Sequence, residues 1–255
     1  MLGQAARIAR ATGADGVSIH GLTTYSTPDC HLPYEALSQE VRSTVSLDED
    51  PERVWSRLSR GMQRSVKRSL RQGLEFSVSC GRGDFIQMHR LETLTRKRQG
   101  LPVPSARYFL SILETLEPGR ARVMLAREGG IPVAGIMAFD EGSSILGVFA
   151  ASDPGRLRLL PNNYLFWRAL EWSCDRGYES FDMGLTRKDN TGLLAFKRGW
   201  GTLEEDALQL YHPQRLVTSK DSSLARSGLV RKIFSRVPLP IFRMVGPWVI
   251  RQLTS

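Results

Sequence analysis

Asp182 and Lys197 stand 15 positions apart, the first in Phe181-Asp182-Met183-Gly184 and the second in Phe196-Lys197-Arg198-Gly199-Trp200-Gly201. A lysine ammonium can hold negative charge that develops on a reacting oxygen, and a carboxylate at a strand end can take a proton. For Asp182 a structural hydrogen bond to the backbone competes with that use. The residues alone leave Lys197 open between the catalytic role and a surface lysine on a short amphipathic helix. Phe196 and Trp200 flank it, and core packing competes with groove lining for Trp200.

Other chemistries lack their residues. His20, His31, His89 and His212 are scattered without an HxxxH or HxH pair, so no metal site is expected. There is no GxSxG elbow and no Walker loop, and Gly81-Arg82-Gly83 lacks the rest of a dinucleotide fingerprint. Cys30, Cys80 and Cys174 are unpaired in spacing, which fits a reducing, cytoplasmic location. The first twenty residues have no apolar segment of the secretory type. Val237–Ile250 holds Pro238, Pro240, Arg243 and Pro247 and falls short of a membrane span.

Thirty-five Lys and Arg against 26 Asp and Glu give a net charge of +9, which favours nucleic acid, a phosphorylated precursor or an acidic membrane face as partner. The charge is concentrated between Arg53 and Arg71, a stretch with no acidic residue. Trp55, Leu58, Met62, Val66 and Leu70 recur there at helical spacing, while Arg57, Arg60, Arg64, Lys67, Arg68 and Arg71 line another face. That face reads either as solvated charge or as an anion-binding surface. Leu229–Leu253 mixes Phe234, Ile241, Phe242 and Trp248 with Arg231, Lys232, Arg236, Arg243 and Arg251, a pattern for peripheral contact with an acidic membrane surface or for docking on the protein itself.

The elements that would position these residues follow from periodicity and punctuation. A helix is expected over Leu2–Ala11, then a strand from Gly16 to His20, an irregular segment with Pro28 and Pro33, and a strand over Glu40–Leu47. Asp50 and Pro51 start a helix that Gly73 ends, with Gly61 as an interruption. After a strand over Leu74–Ser79, Asp84 and Ser105 cap two helices, and 120–127, 132–140 and 144–151 read as an antiparallel meander. A helix from Pro161 to Arg176, a strand over Tyr178–Met183, a helix over Gly192–Arg198 and a strand over Glu205–Tyr211 complete the set. This order resembles the N-acetyltransferase-like (GNAT) fold, an α/β (α+β) architecture. The expected organisation is a partial GNAT-like unit at 1–79 containing the basic helix 51–72, a complete transferase unit at 80–215, and a basic amphipathic tail at 216–255. Members that use acetyl-CoA carry a glycine-rich RxxGxG/A turn, where bare backbone N–H groups hold the pyrophosphate. Here Arg156 to Asn163 has no glycine after Gly155, which argues against ordinary CoA binding.

From Pro161 onward the series Pro161-Asn-Asn-Tyr-Leu-Phe-Trp167, Arg176-Gly-Tyr178, Phe181-Asp-Met-Gly184, Thr191-Gly192 and Phe196-Lys-Arg-Gly-Trp-Gly201 resembles the FemAB-like family, which includes aminoacyl-tRNA-dependent ligases of peptidoglycan cross-bridges. Thr95-Arg-Lys-Arg98 to Pro102, with Tyr108-Phe109, is similar to helices upstream of that half. Val237-Pro-Leu-Pro240 to Ile250-Arg251 is similar to the tail of members accompanying exopolysaccharide and PEP-CTERM/exosortase loci. The resemblance implies transfer of an acyl or aminoacyl group to an amine of an anionic cell-envelope or exopolysaccharide precursor. The activated donor, an aminoacyl-tRNA or an acyl thioester, would be a co-substrate, with no bound cofactor, and the protein would work at the inner face of the cytoplasmic membrane. By the same resemblance Lys197 holds the tRNA end or the intermediate, Arg98 and Arg187 contact the precursor, Phe149 replaces a tyrosine of many relatives, and Tyr164, Phe196 and Trp200 line the substrate groove. Two other classes stay open: a catalytically silent RNA- or glycan-binding module using the basic helix, and an acyl-CoA-dependent N-acetyltransferase.

Overall fold

The computed structural model describes residues 11, 17–23, 35–212, 232 and 234–254. Apart from Ala11, the helix expected over Leu2–Ala11 lies outside the described residues, as does the segment around Pro28 and Pro33. Eight strands form one sheet: β1 (Val17–Thr23), β2 (Glu35–Ser46), β3 (Glu75–Ser79), β4 (Ala121–Glu128), β5 (Ile131–Asp140), β6 (Ser144–Ser152), β7 (Ser180–Arg187) and β8 (Leu203–His212), in the order β1-β8-β2-β7-β6-β5-β4-β3. Strands from the expected 1–79 unit therefore hydrogen-bond directly with strands from the 80–215 unit, β2 with both β7 and β8 and β3 with β4. The helices are α1 (Pro51–Arg57), α2 (Arg60–Leu70), α3 (Arg82–Gln99), α4 (Ala106–Thr115), α5 (Pro161–Cys174), α6 (Thr191–Arg198) and α7 (Leu239–Thr254).

Alternation along the strands sends side chains to two cores. Met124, Ala126, Ile136 and Ala138 meet Val54, Leu58, Met62 and Val66 of the α1–α2 region and Leu165, Phe166, Ala169 and Leu170 of α5 on one face. Val123, Leu125 and Met137 meet Phe85, Met88 and Leu91 of α3 and Phe109 of α4 on the other. Helices on both faces explain why β4 and β5 are apolar nearly throughout, rather than strictly alternating.

Local signals account for most boundaries. Asp50 caps α1 and Ser105 caps α4 by accepting backbone N–H groups of Glu52 and Tyr108. Ser105→Ala is expected to lower unfolding free energy by about 1 kcal/mol in a denaturant titration. Gly100, at φ 67°, ends α3. The helix expected over 51–72 is two helices, and the break falls at Leu58 and Ser59 rather than Gly61. Ser59 leaves helical geometry, its hydroxyl accepts from the Met62 N–H, and its own N–H donates to Gly199 O at 2.9 Å. A tertiary contact thus overrides a continuous apolar stripe. Asp84 does not cap α3, because the helix begins two residues earlier; its carboxylate instead pairs with Arg127 on β4 at 2.6 Å. β7 runs to Arg187, four residues beyond the expected strand end, because β2 pairs with it as far as Glu40.

Candidate active site

Parallel pairing between β6 and β7 covers three residue pairs, Ser144 with Ser180, Ile145 with Phe181 and Leu146 with Asp182. Both strands continue past that point, β6 still paired to β5 and β7 still paired to β2. They part because each carries a bulge at the same level. On β7, Met183 and Gly184 together oppose the one residue Ser43 of β2; on β6, Val148 is the extra residue against β5. A bulge bends its strand and increases local twist, so two bulges on facing strands open the sheet into a V.

Gly184 is required at the apex. Its φ is 76°, and a Cβ there would lie 3.1 Å from Gly147 O. Gly184→Ala is expected to destabilise the fold by about 2 kcal/mol, read from its melting temperature.

The V encloses a cleft of about 350 Å³. Gly147, Val148, Ala150, Ala151 and Ser152 of β6 form one wall and Met183 and Leu185 of β7 the other; Ile136 of β5, Asn162 and Phe166 of α5, Leu193, Phe196 and Lys197 of α6, and Thr95, Arg98 and Gln99 of α3 complete it. Thr95 holds the far end of β6, its hydroxyl donating to Ser152 O at 3.1 Å and accepting from Ser152 N–H at 3.0 Å.

Asn190 caps α6 by accepting the Leu193 N–H, and this short helix delivers Lys197 from its last turn into the cleft. Lys197 is 4% exposed and donates from Nζ to Gly184 O at 2.6 Å. Burial pushes its pKa down from 10.5 to about 8, against the opposing pull of the Asp182 and Glu204 charges. Asp182 is also buried; its Oδ1 accepts the Gly184 N–H at 2.7 Å and its Oδ2 lies 3.5 Å from Arg42 Nε. The two charged residues singled out from the sequence are therefore brought together through Gly184, one on its N–H and one on its carbonyl. With both oxygens engaged, Asp182 braces the bulge, and Lys197 retains ammonium hydrogens for another acceptor.

Of the expected substrate contacts, Arg98 and Phe196 line the cleft, with Arg98 exposed. The others lie elsewhere. Trp200 is fully buried, its ring centroid 5.9 Å from that of Phe166 and 6.0 Å from that of Phe196, so it supports the cleft wall from inside the core. Tyr164 is likewise buried in that core, under the Arg168 guanidinium. Phe149 faces the opposite side of the sheet, 5.1 Å from the Phe109 ring. The Val148 bulge is the reason: Ile145 belongs to the first core, whereas Phe149 and Ala151 belong to the second, a change of face that strict alternation forbids. Arg187 is paired through two nitrogens with Asp189 at the surface.

Arg60, Arg64, Lys67 and Arg68 of α2 and Arg71 at its C-terminal cap are exposed, and none is in an ion pair among the described residues; Arg57 on α1 donates to Ser46 O at 2.6 Å. Met62 of α2 contacts Asn163, next to the cleft residue Asn162, so the basic helix lies beside the cleft wall. Thr95, Gln99, Asn162 and Gly147 are cleft residues that sequence reasoning missed. Of these, Thr95, Gln99 and Asn162 stood within quoted motifs without being singled out; nothing local marks Gly147.

Two parallel strands that separate over a cleft, flanked by helices on both faces, define a GNAT-type acyltransferase fold. Residues 56–198 match the family model described as an acetyltransferase (GNAT) domain, and the chain belongs to that family. It is an acyltransferase, with the GNAT-like α/β fold that the element order predicts. Solved structures with this fold include FemX, at 17% identity and TM-score 0.68 over 82% of this chain and 75% of that one. L-PGS from Bacillus licheniformis matches at 15% identity and TM-score 0.62, over 92% and 78%. The C-terminal domain of a protein from Agrobacterium fabrum described as a lysylphosphatidylglycerol synthetase matches at 16% identity and TM-score 0.60, over 88% and 74%. No curated protein sequence matches the chain.

Proposed function

We propose that the chain transfers an acyl or aminoacyl group from an activated ester to an amine of an anionic cell-envelope or exopolysaccharide precursor, with Lys197 as the catalytic residue. The observation that carries this reading is a buried lysine at the apex of the parted strands, held among the described residues by one acceptor, Gly184 O. In the reaction the amine nitrogen attacks the donor carbonyl, the C–N bond forms, and negative charge gathers on the former carbonyl oxygen. Lys197 donates to that oxygen. The intermediate then collapses, breaking the C–O bond to the donor alcohol, which receives the proton released by the amine. Asp182 and Gly184 fix the ammonium's position, and Arg98 on the rim holds a phosphate or carboxylate of the acceptor.

The turn before α5 favours an ester such as aminoacyl-tRNA over a CoA thioester. Residues Pro154–Leu159 form a 3-10 helix whose Gly155 N–H is taken by Asp153 and whose Leu160 N–H is taken by Leu157 O. Pro161 supplies no N–H at the start of α5. Few backbone donors are left there for a pyrophosphate. The exposed cations of the basic helix, which packs through Met62 on α5, suit the phosphates of an RNA donor. The name of one structural relative, lysylphosphatidylglycerol synthetase, is in keeping with an aminoacyl donor and an anionic acceptor. Among the described residues no helix is long and apolar enough to cross a membrane, and the proposed workplace is the cytoplasmic face of the membrane.

The test supplies labelled aminoacyl-tRNA or labelled acetyl-CoA together with bacterial envelope precursors and follows label on amines. Transfer from aminoacyl-tRNA supports the reading; transfer from acetyl-CoA alone contradicts the donor. Function in cells that survives Lys197→Met, while Arg64→Ala with Lys67→Ala abolishes it, would instead make the chain a binding module. Because Lys197 must be protonated to hold the oxyanion, the single-turnover rate is expected to fall as pH rises through about 8. Lys197→Arg, whose guanidinium stays charged, should remove that fall. Arg98→Ala should raise KM for the precursor about tenfold with little change in kcat, as expected for loss of a charge-assisted contact of roughly 1.4 kcal/mol.

A further inference from the structure

We infer that the outward face of α7 is a docking surface for an anionic lipid bilayer. One face of this helix is clamped to the protein. Phe242 is fully buried and packs edge-on against Phe234 at 6.2 Å. Gly246 lies so close to the loop after α3 that a Cβ would meet Val103 N and O at 3.0 Å, and Lys97 donates from Nζ to Ser235 O at 3.0 Å. The expected choice between docking on the protein and contact with a membrane thus has a two-sided form, since the clamped face leaves another one outward.

That outward face carries Ile241, Met244, Val245 and Trp248, at 51%, 79%, 36% and 62% exposure. Their spacing of i, i+3, i+4 and i+7 makes one continuous apolar stripe. Pro247 and the short length preclude a span, so such a helix lies in the plane of the interface with its stripe toward the acyl chains. Trp248 suits the headgroup boundary, where its ring is apolar and its N–H stays solvated.

Charge selects the occupant. From Ser222 to Ser255 the sequence has six basic residues and no acidic one, and Lys232, Arg236 and Arg243 are exposed. A second copy docking by the same stripe would bring two such cationic segments together, whereas an anionic leaflet gains from each. Lys97 neighbours Arg98 and Gln99 of the cleft wall, so a bilayer held by α7 would lie beside the cleft opening.

The full-length chain would be sedimented with vesicles of phosphatidylcholine alone or mixed with phosphatidylglycerol, at low and high salt. The mixed vesicles should bind at least about tenfold more protein, and binding should fall with salt. Met244→Glu with Trp248→Glu should abolish it while leaving the melting temperature unchanged, because both side chains are exposed. Equal sedimentation of wild type and variant, or no preference for the anionic vesicles, would overturn the proposal. So would a wild-type dimer in light scattering that the same substitutions disperse, since the stripe would then be a self-contact. No substrate enters this experiment, and its result is independent of the transfer reaction.

Discussion

Lys197→Met will slow acyl transfer by at least about 100-fold, the usual scale for removing one oxyanion donor, and will at the same time make the protein more stable. The second half follows from burial. A folded lysine with a pKa near 8 instead of 10.5 carries about 3 kcal/mol of unfavourable free energy whenever it is protonated. Methionine fills similar space without charge, while the loss of the bond to Gly184 O gives back about 1 kcal/mol. The net gain at pH 7 should be about 2 kcal/mol in a denaturant titration. The sign with pH is fixed by the lowered value. Below pH 8 the penalty is present in full; between 8 and 10.5 the folded chain sheds the proton that the unfolded chain keeps, and wild-type stability rises. The advantage of Lys197→Met should therefore shrink across that window. A lysine kept for structure alone would give the opposite result, a less stable variant.

Trp200→Ala carries the largest expected loss of stability. The side chain is fully buried between Phe166 and Phe196, and truncation of a buried tryptophan costs about 3–5 kcal/mol. For a domain of this size the melting temperature should drop by on the order of 10 °C. Phe196 would lose its backing, so activity should fall as well, through displaced α6 rather than a lost substrate contact. Trp200→Phe separates the two effects. Its indole N–H has no hydrogen-bond partner among the described residues, so phenylalanine forfeits volume and no polar contact, and most activity should return.

These two residues show what was legible in the chain. Caps and breakers act locally, and so Ser105, Gly100, the meander of β4 to β6 and the α5 helix could be read directly. Asp182 stood out as a charge between two apolar neighbours, and Lys197 by its place in the series Phe196-Lys197-Arg198-Gly199-Trp200-Gly201. The parting of β6 and β7 was not legible. It arises from bulges at Val148 and at Met183–Gly184, and a bulge is defined by the partner strand, which can lie over a hundred residues away, as β2 does from β7. Phe149 was misplaced for the same reason, since its face depends on one extra residue upstream. Trp200 has the composition of a groove aromatic, and only the fold reveals that Phe166 closes over it. The break at Ser59 likewise depends on Gly199, brought near by the α6 turn.

The most direct test of the account is the titration of Lys197 itself. In protein labelled with 13C at the lysine ε-carbons, the resonance missing from Lys197→Met identifies this residue, and its shift is followed from pH 6 to 11. The account predicts a midpoint near 8, displaced when aminoacyl-tRNA is added. A midpoint above 10, unmoved by the donor, would contradict a buried cationic centre in the cleft.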